Sequence, residues 1–125
     1  MKLLLTATAI LEGATGLGLV IIPSLLISIL LGTSLTDSSA IIICRLTGGA
    51  LITISFACWF AKRDLQSSIM VKVMLGYNFF CIILLVYAAL VEKIHGPGLW
   101  PVVLLHLALL IWCFSASRKR VKEPL

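Results

Sequence analysis

The hydropathy pattern divides the chain into four long apolar segments that are separated by short polar ones. The apolar segments cover residues 3–31, 40–61, 69–91 and 99–116, and none shows the alternation expected of a barrel strand. A helix needs about 20 apolar residues to cross a bilayer, and its backbone groups are then satisfied within the segment. The pattern therefore predicts an all-α polytopic membrane protein, an antiparallel bundle of four transmembrane helices joined by short loops.

The first apolar segment is too long for one straight span. A helix over residues 3–31 would be roughly 43 Å long, whereas the hydrocarbon core is about 30 Å thick. Pro23 suits the first turn of a new helix, because that turn does not use the backbone N–H that proline lacks. We therefore predict a span over residues 3–22. Residues 23–31 either continue it after a kink or lie at the membrane interface.

The composition excludes an ordinary soluble domain. Of 125 residues, 61% are hydrophobic and 12% are charged, whereas a soluble domain is about half apolar and about a quarter charged. Because the polar segments are short, we expect residues 1–125 to form a single transmembrane domain. The apolar run continues far beyond Ala9, so we expect the first helix to be retained and not removed as a signal peptide.

The basic residues lie mainly on one side of the predicted bundle. Those that flank the spans on this side are Lys2, Lys62, Arg63, Lys72, Arg118, Lys119, Arg120 and Lys122. The opposite loops contain Lys93, and Arg45 lies within a span. Because cytoplasmic segments are enriched in Lys and Arg, we predict a multi-pass protein of the inner (cytoplasmic) membrane. Both termini, including the basic tail at 117–125, are then cytoplasmic, and the net charge of +5 does not indicate a nucleic-acid partner.

Each predicted span contains one strongly polar residue near the middle of the membrane. Glu12 and Asn78 lie roughly 14 Å from the side of the termini, and Arg45 and His106 lie roughly 8 and 11 Å from the other side. A bare charge at this depth costs about 3 kcal/mol or more. We therefore predict a buried salt bridge between Glu12 and Arg45, with Asn78 and His106 hydrogen-bonded around it.

This polar cluster has two interpretations. It is either a structural contact that fixes the helix register, or a binding or proton-relay site, which is the default hypothesis for ionisable groups at membrane depth. His106 titrates near neutral pH when it is accessible, so a role in proton transfer is open.

Catalytic and metal-binding motifs are not found in the sequence. It contains no serine–histidine motif, no HExxH motif and no pair of carboxylates within the spans, so we expect a non-enzymatic protein. The four cysteines are too widely spaced for a zinc or redox motif, and no metal is predicted. Haem ligation by His106 is conceivable in a bundle core, but it would need a second axial ligand.

Small residues cluster in the first two spans. Gly13, Gly16 and Gly18 lie in the first, and Gly48 and Gly49 lie in the second. Glycines let membrane helices approach closely, so we predict that these five positions pack helices together. In the first span, the small-residue pairs Ala9–Gly13 and Ala14–Gly18 pack either within the bundle or across a dimer.

Several fragments together resemble a widespread group of uncharacterised small bacterial four-helix integral membrane proteins. They are Leu11-Glu12-Gly13-Ala14-Thr15-Gly16, Cys44-Arg45-Leu46-Thr47-Gly48, Ala57-Cys58-Trp59, Gly76-Tyr77-Asn78 and Leu99-Trp100-Pro101-Val102-Val103-Leu104-Leu105-His106. The resemblance covers most of the chain and implies a fold, but no activity.

The first helix alone is similar to that of the small multidrug resistance transporters. These have four helices and an essential glutamate in the first span, in a neighbourhood that Ala9-Ile10-Leu11-Glu12 resembles. The later helices differ, and Arg45 would compete with a cationic substrate for Glu12. We therefore expect an accessory subunit or a binder of a lipid-like ligand, with membrane lipid and a homodimer or larger membrane complex as partners. The alternative is a homodimeric proton-coupled carrier of small molecules that uses Glu12.

Overall fold

Five helices make up the described part of the chain in a computed structural model, which covers residues 1–63 and 67–121, with backbone alone for 119–121. They are α1 (Lys2–Ile21), α2 (Pro23–Leu31), α3 (Ser38–Ala61), α4 (Ser67–Leu90) and α5 (Leu99–Val121). All except α2 are long and apolar enough to cross a membrane. The predicted fold class, an all-α polytopic bundle of four transmembrane helices, is confirmed.

The long helices begin and end close to the predicted limits. Three lie within two residues of their predicted spans, and α5 continues beyond its predicted end to Val121. Residues 122–125 of the predicted basic tail lie outside the described residues. The helix directions place the start of α1 and the end of α5 at one end of the bundle, called the terminal end here. The opposite end is called the loop end.

The bundle consists of two tightly packed helix pairs, α1 with α3 and α4 with α5. Glycines bring the backbones of the first pair into contact. A Cβ atom added to Gly16 would lie 2.6 Å from the carbonyl oxygen of Gly48, and a Cβ added to Gly48 would lie 2.6 Å from that of Gly16. Ser55 strengthens this contact, because its hydroxyl donates a hydrogen bond of 2.6 Å to the carbonyl oxygen of Ala9.

The other three predicted packing glycines differ in their surroundings. A Cβ on Gly13 would lie 2.8 Å from the hydroxyl oxygen of Ser55, and a Cβ on Gly18 would lie 2.5 Å from Leu26 of α2. Gly49 has no neighbour within 4 Å of its Cβ position. Among the described residues Gly49 therefore does not bring α3 close to another helix, whereas Gly48 faces α1, and the packing role predicted for Gly49 stays a prediction.

A buried core lies near each end of the bundle. At the terminal end, buried side chains from all four long helices form one core: Leu4, Leu5, Ala9, Cys58, Val71, Met74, Leu109 and Cys113. At the loop end a smaller core joins α4 and α5, and Leu30 and Leu31 of α2 pack against it. The four cysteines are free thiols. Between the two cores, the side chains of the helix pairs leave a cavity.

Helix α2 does not continue α1. The backbone of Ile22 (φ −129°, ψ 54°) separates the two helices, and Pro23 occupies the first turn of α2. In one continuous helix, Gly18 and Leu26 would be about 12 Å apart along the axis. The close approach of Leu26 to Gly18 therefore requires α2 to turn back over α1.

The end of α2 is bound to the loop between α4 and α5. Gly32 ends α2 in the left-handed conformation (φ 71°). The N–H groups of Gly96 and Gly98 each donate a hydrogen bond of 2.9 Å, to the carbonyl oxygens of Leu30 and Ile29 respectively. We call these two bonds the α2–loop contact. Through it, α2 connects the α1–α3 pair to the α4–α5 pair across the loop end.

Candidate functional site

A cavity of about 420 Å³ lies between the two helix pairs beneath α2. Most of its wall is apolar and comes from α1, α2 and α5. Its polar side chains are those of Glu12, Thr15, Thr47, Tyr77 and His106. The cavity therefore contains two of the four residues that the sequence predicted for the polar cluster.

Glu12 lies near the middle of α1 and is 4% exposed. The hydroxyl of Tyr77 donates a hydrogen bond of 3.0 Å to its Oε2 atom. No side chain in the described ranges donates a hydrogen bond to Oε1, and the carboxyl group lines the cavity. Glu12 is thus held by one neutral donor and keeps an acceptor position for a further group.

Asn78 and His106 form the second part of the cluster. Asn78 is fully buried, and its Nδ2 group donates a hydrogen bond of 2.7 Å to the carbonyl oxygen of Met74. Its Oδ1 atom therefore faces His106, whose Nδ1 atom lies 2.8 Å away. Because an amide oxygen only accepts hydrogen bonds, Nδ1 of His106 carries the hydrogen. Asn78 thereby holds the histidine in one tautomer and orientation.

Tyr77 links the two parts. Its ring lies edge-on to the imidazole of His106, with 5.9 Å between the ring centroids, while its hydroxyl contacts Glu12. No role for Tyr77 was predicted from the sequence. The signal available was a phenol hydroxyl next to Asn78 in the middle of an apolar span, where a buried hydroxyl needs a partner.

Two further polar groups lie near Glu12. Ser55 could not be recognised from the sequence, because its hydroxyl acts only through the hydrogen bond that it donates at the α1–α3 contact. Thr8 lies one turn before Glu12 and is fully buried, and its hydroxyl has no hydrogen-bond partner among the described residues. Such an unpaired buried hydroxyl costs about 1–3 kcal/mol.

The predicted buried salt bridge between Glu12 and Arg45 is wrong. No ion pair forms among the residues that the structure describes, and Arg45 is exposed. Cys44 and Thr47 face the cavity, and each residue turns a helix by about 100°, so Arg45 points away from it. A long arginine side chain can instead extend along the helix toward the membrane surface. Depth counting describes a position along the helix axis and could not give the direction in which Arg45 points.

The observed contacts of Glu12 predict the outcome of two double-mutant cycles. Glu12→Gln and Arg45→Met should have additive effects on the free energy of unfolding, within about 0.5 kcal/mol, because the side chains do not touch. Glu12→Gln and Tyr77→Phe share a hydrogen bond and should be non-additive by about 0.5 kcal/mol or more. Chemical unfolding in mixed micelles measures both cycles. A coupling confined to the Arg45 cycle would contradict the observed arrangement.

A metal centre is not formed by the described residues, which contain no group of three or more His, Cys, Asp or Glu side chains able to hold an ion. Haem ligation by His106, which the sequence left only as a remote alternative, is not tested by this arrangement. A second groove of about 460 Å³ lies on the outer surface of α4 and α5, between Gly76, Phe79 and Phe114. It is lined by apolar side chains and contains none of the predicted site residues.

Comparison with known proteins gives no relative for this chain. No protein-family model, curated protein or solved structure matches it.

Proposed function

We propose that this small integral membrane protein is non-enzymatic and binds a lipid-like amphiphile in the cavity beneath α2. The polar head of the ligand contacts Glu12, Tyr77 and His106, and its apolar part lies against α2 and α5. One observation carries the proposal, namely the convergence of these polar groups in an otherwise apolar cavity. Its volume of about 420 Å³ is in the usual range for small-molecule sites, which is about 300–1,000 Å³.

The energetics of polar groups at membrane depth support an amphiphile over a purely apolar ligand. An apolar molecule would leave Oε1 of Glu12 without a partner in a site from which water is displaced, and an unpaired buried polar group costs free energy. A ligand with a polar head replaces that water and satisfies the carboxyl group. Its apolar part meets walls that resemble the lipid from which it enters.

The orientation and partners of the protein belong to the same proposal. The basic residues Lys2, Lys62, Arg63 and Arg118 lie at the terminal end, which supports a cytoplasmic terminal end in an inner membrane. The exposed outward face of α3, which contains Gly49, is available to a second copy or to another membrane protein. An accessory role in a larger membrane complex is compatible with this arrangement.

The test is to purify the protein in nanodiscs from native membrane and to identify bound molecules by mass spectrometry. Thr47→Phe places a bulky ring at the cavity wall, whereas Thr53→Phe changes a residue that does not line the cavity. Both threonines donate a hydrogen bond to the backbone four residues earlier, so the two variants are matched. We expect the unmodified protein and Thr53→Phe to retain a lipid-like molecule that Thr47→Phe has lost. Equal content in all three would contradict the proposal.

A proton-coupled carrier is the second candidate. It is favoured by the cavity-lining carboxyl of Glu12, which has no cationic partner among the described residues and can exchange a proton with a ligand. Reconstitution into liposomes with a pH gradient separates the two functions. Uptake of a bound amphiphile that depends on the gradient and is lost in Glu12→Gln would establish the carrier. Binding without uptake would leave the protein a binder.

A further inference from the structure

Apart from the hydroxyl of Thr15, which can donate as well as accept, the polar groups around the cavity present hydrogen-bond acceptors. Oε1 of Glu12 has no donor within the described ranges. The hydroxyl of Tyr77 has given its hydrogen to Glu12 and offers only its lone pairs. The hydroxyl of Thr47 has likewise given its hydrogen to the carbonyl oxygen of Ile43.

His106 adds another acceptor. Its Nδ1–H is bonded to Asn78, whose orientation is fixed in turn by Met74. In the neutral imidazole the other nitrogen, Nε2, then carries a lone pair and no hydrogen. His106 contributes to the cavity wall, and Nε2 has no hydrogen-bond partner in the described part of the chain.

The described residues that line the cavity include no lysine or arginine, so none of them brings a fixed positive charge. Arg45 is the basic residue nearest in depth, but it is exposed on the far side of Cys44 and Thr47. The described site therefore combines one carboxyl group with neutral acceptors and a single hydroxyl, that of Thr15, which can also donate. A ligand that complements it brings both positive charge and several N–H donors.

We propose that the amphiphile site selects a primary ammonium head group, an inference that rests on the proposed amphiphile binding. An ammonium has three donors in tetrahedral directions and no acceptor. One N–H group bonds Oε1 of Glu12, and the others bond acceptors such as Nε2 of His106 and the hydroxyl oxygen of Tyr77. The ammonium and the carboxylate together carry no net charge, which lowers the cost of holding either one at membrane depth.

The proposed selectivity predicts different affinities for three head groups that are carried on the same alkyl chain. A trimethylammonium has the same charge but no N–H donor, so it leaves the acceptors unsatisfied. A hydroxyl has one donor and no charge, so it loses the charge-assisted hydrogen bond, which is about twice as strong as a neutral one. Octylamine, octyltrimethylammonium and octanol therefore form a matched series at neutral pH.

The experiment titrates each compound into nanodiscs with and without the protein and counts bound molecules by native mass spectrometry. We expect octylamine to bind the unmodified protein about tenfold more tightly than either of the other two. In Glu12→Gln the carboxylate is replaced by a neutral amide of the same shape, and the preference for octylamine should fall to about twofold or less. Because the series on the unmodified protein involves no substitution, its result does not depend on the folding of a variant.

The remaining outcomes separate this inference from the proposed function. If all three compounds bind equally well and Thr47→Phe abolishes their binding while Thr53→Phe retains it, amphiphile binding holds and the selectivity is overturned. Tighter binding of octyltrimethylammonium or octanol overturns the selectivity as well. If none of the three binds saturably beyond empty nanodiscs, both proposals fail.

Discussion

Gly48→Ala is expected to lower the free energy of unfolding by about 1–3 kcal/mol, the usual cost of overpacking. The new Cβ atom would lie 2.6 Å from the carbonyl oxygen of Gly16 and 2.9 Å from a methyl group of Val20. The first of these neighbours is backbone, so α1 and α3 have to move apart and lose packing along their shared face. Unfolding in mixed micelles, followed by far-UV circular dichroism, measures the change.

Gly49→Ala is the matched control for this substitution. The two glycines are neighbours in the same helix, so both gain the higher helix propensity of alanine, which is at most about 1 kcal/mol. The Cβ of Gly49→Ala meets nothing within 4 Å, and we expect its stability to be unchanged or slightly higher. Equal destabilisation of both variants would show that the α1–α3 contact is not as described.

Gly96→Ala is expected to expose the cavity by detaching α2. A Cβ atom at this position would collide with the carbonyl oxygen of Ile29 and would lie 2.6 Å from the backbone nitrogen of Gly32. The α2–loop contact consists of two backbone hydrogen bonds, each of which contributes about 1 kcal/mol. Losing both would raise the population with α2 detached by about thirtyfold, since 1.4 kcal/mol corresponds to a factor of ten.

Cys44 is a natural probe for this opening, because its thiol lines the cavity. The rate at which N-ethylmaleimide labels Cys44, measured by peptide mass spectrometry, should rise by about thirtyfold in Gly96→Ala. Cys58 and Cys113 are buried in the core of the terminal end and should stay unlabelled, which distinguishes local opening from unfolding.

Gly76→Ala provides the control, since its Cβ position is open. It should label at the rate of the unmodified protein. An unchanged rate in Gly96→Ala would mean that reagents and ligands enter the cavity by a route that α2 does not cover.

The spans were predictable because each depends on a local property, the run of apolar residues. Lys2–Ile21 and the three later long helices therefore agree closely with the hydropathy pattern. The break at Pro23 was predictable for the same reason, since proline acts on its own turn. The position of α2 was not, because it depends on the contact of Leu26 with Gly18 and on hydrogen bonds to a loop more than sixty residues away.

The polar cluster was predicted only in part because the long helices are apolar on every side. Amphipathic periodicity tells which face of a helix points inward, and a helix that is apolar all round gives no such signal. The rotation of α3 was therefore undetermined, and Arg45 was assigned to Glu12 on depth alone. The structure turns Cys44 and Thr47 inward instead, and the partner of Glu12 is Tyr77.

The sequence by itself determined the four membrane-crossing helices, the end of the first at Pro23 and the presence of one strongly polar residue in each span. These features follow from the types of residues and from their order along the chain, which the hydropathy pattern and the rise per residue of a helix describe. Only the tertiary structure decided which polar residues are in contact, how α2 covers the cavity and which glycines pack against a neighbouring helix. Those features depend on the rotation and spacing of helices, and these are set by close contacts such as that of Gly16 with Gly48.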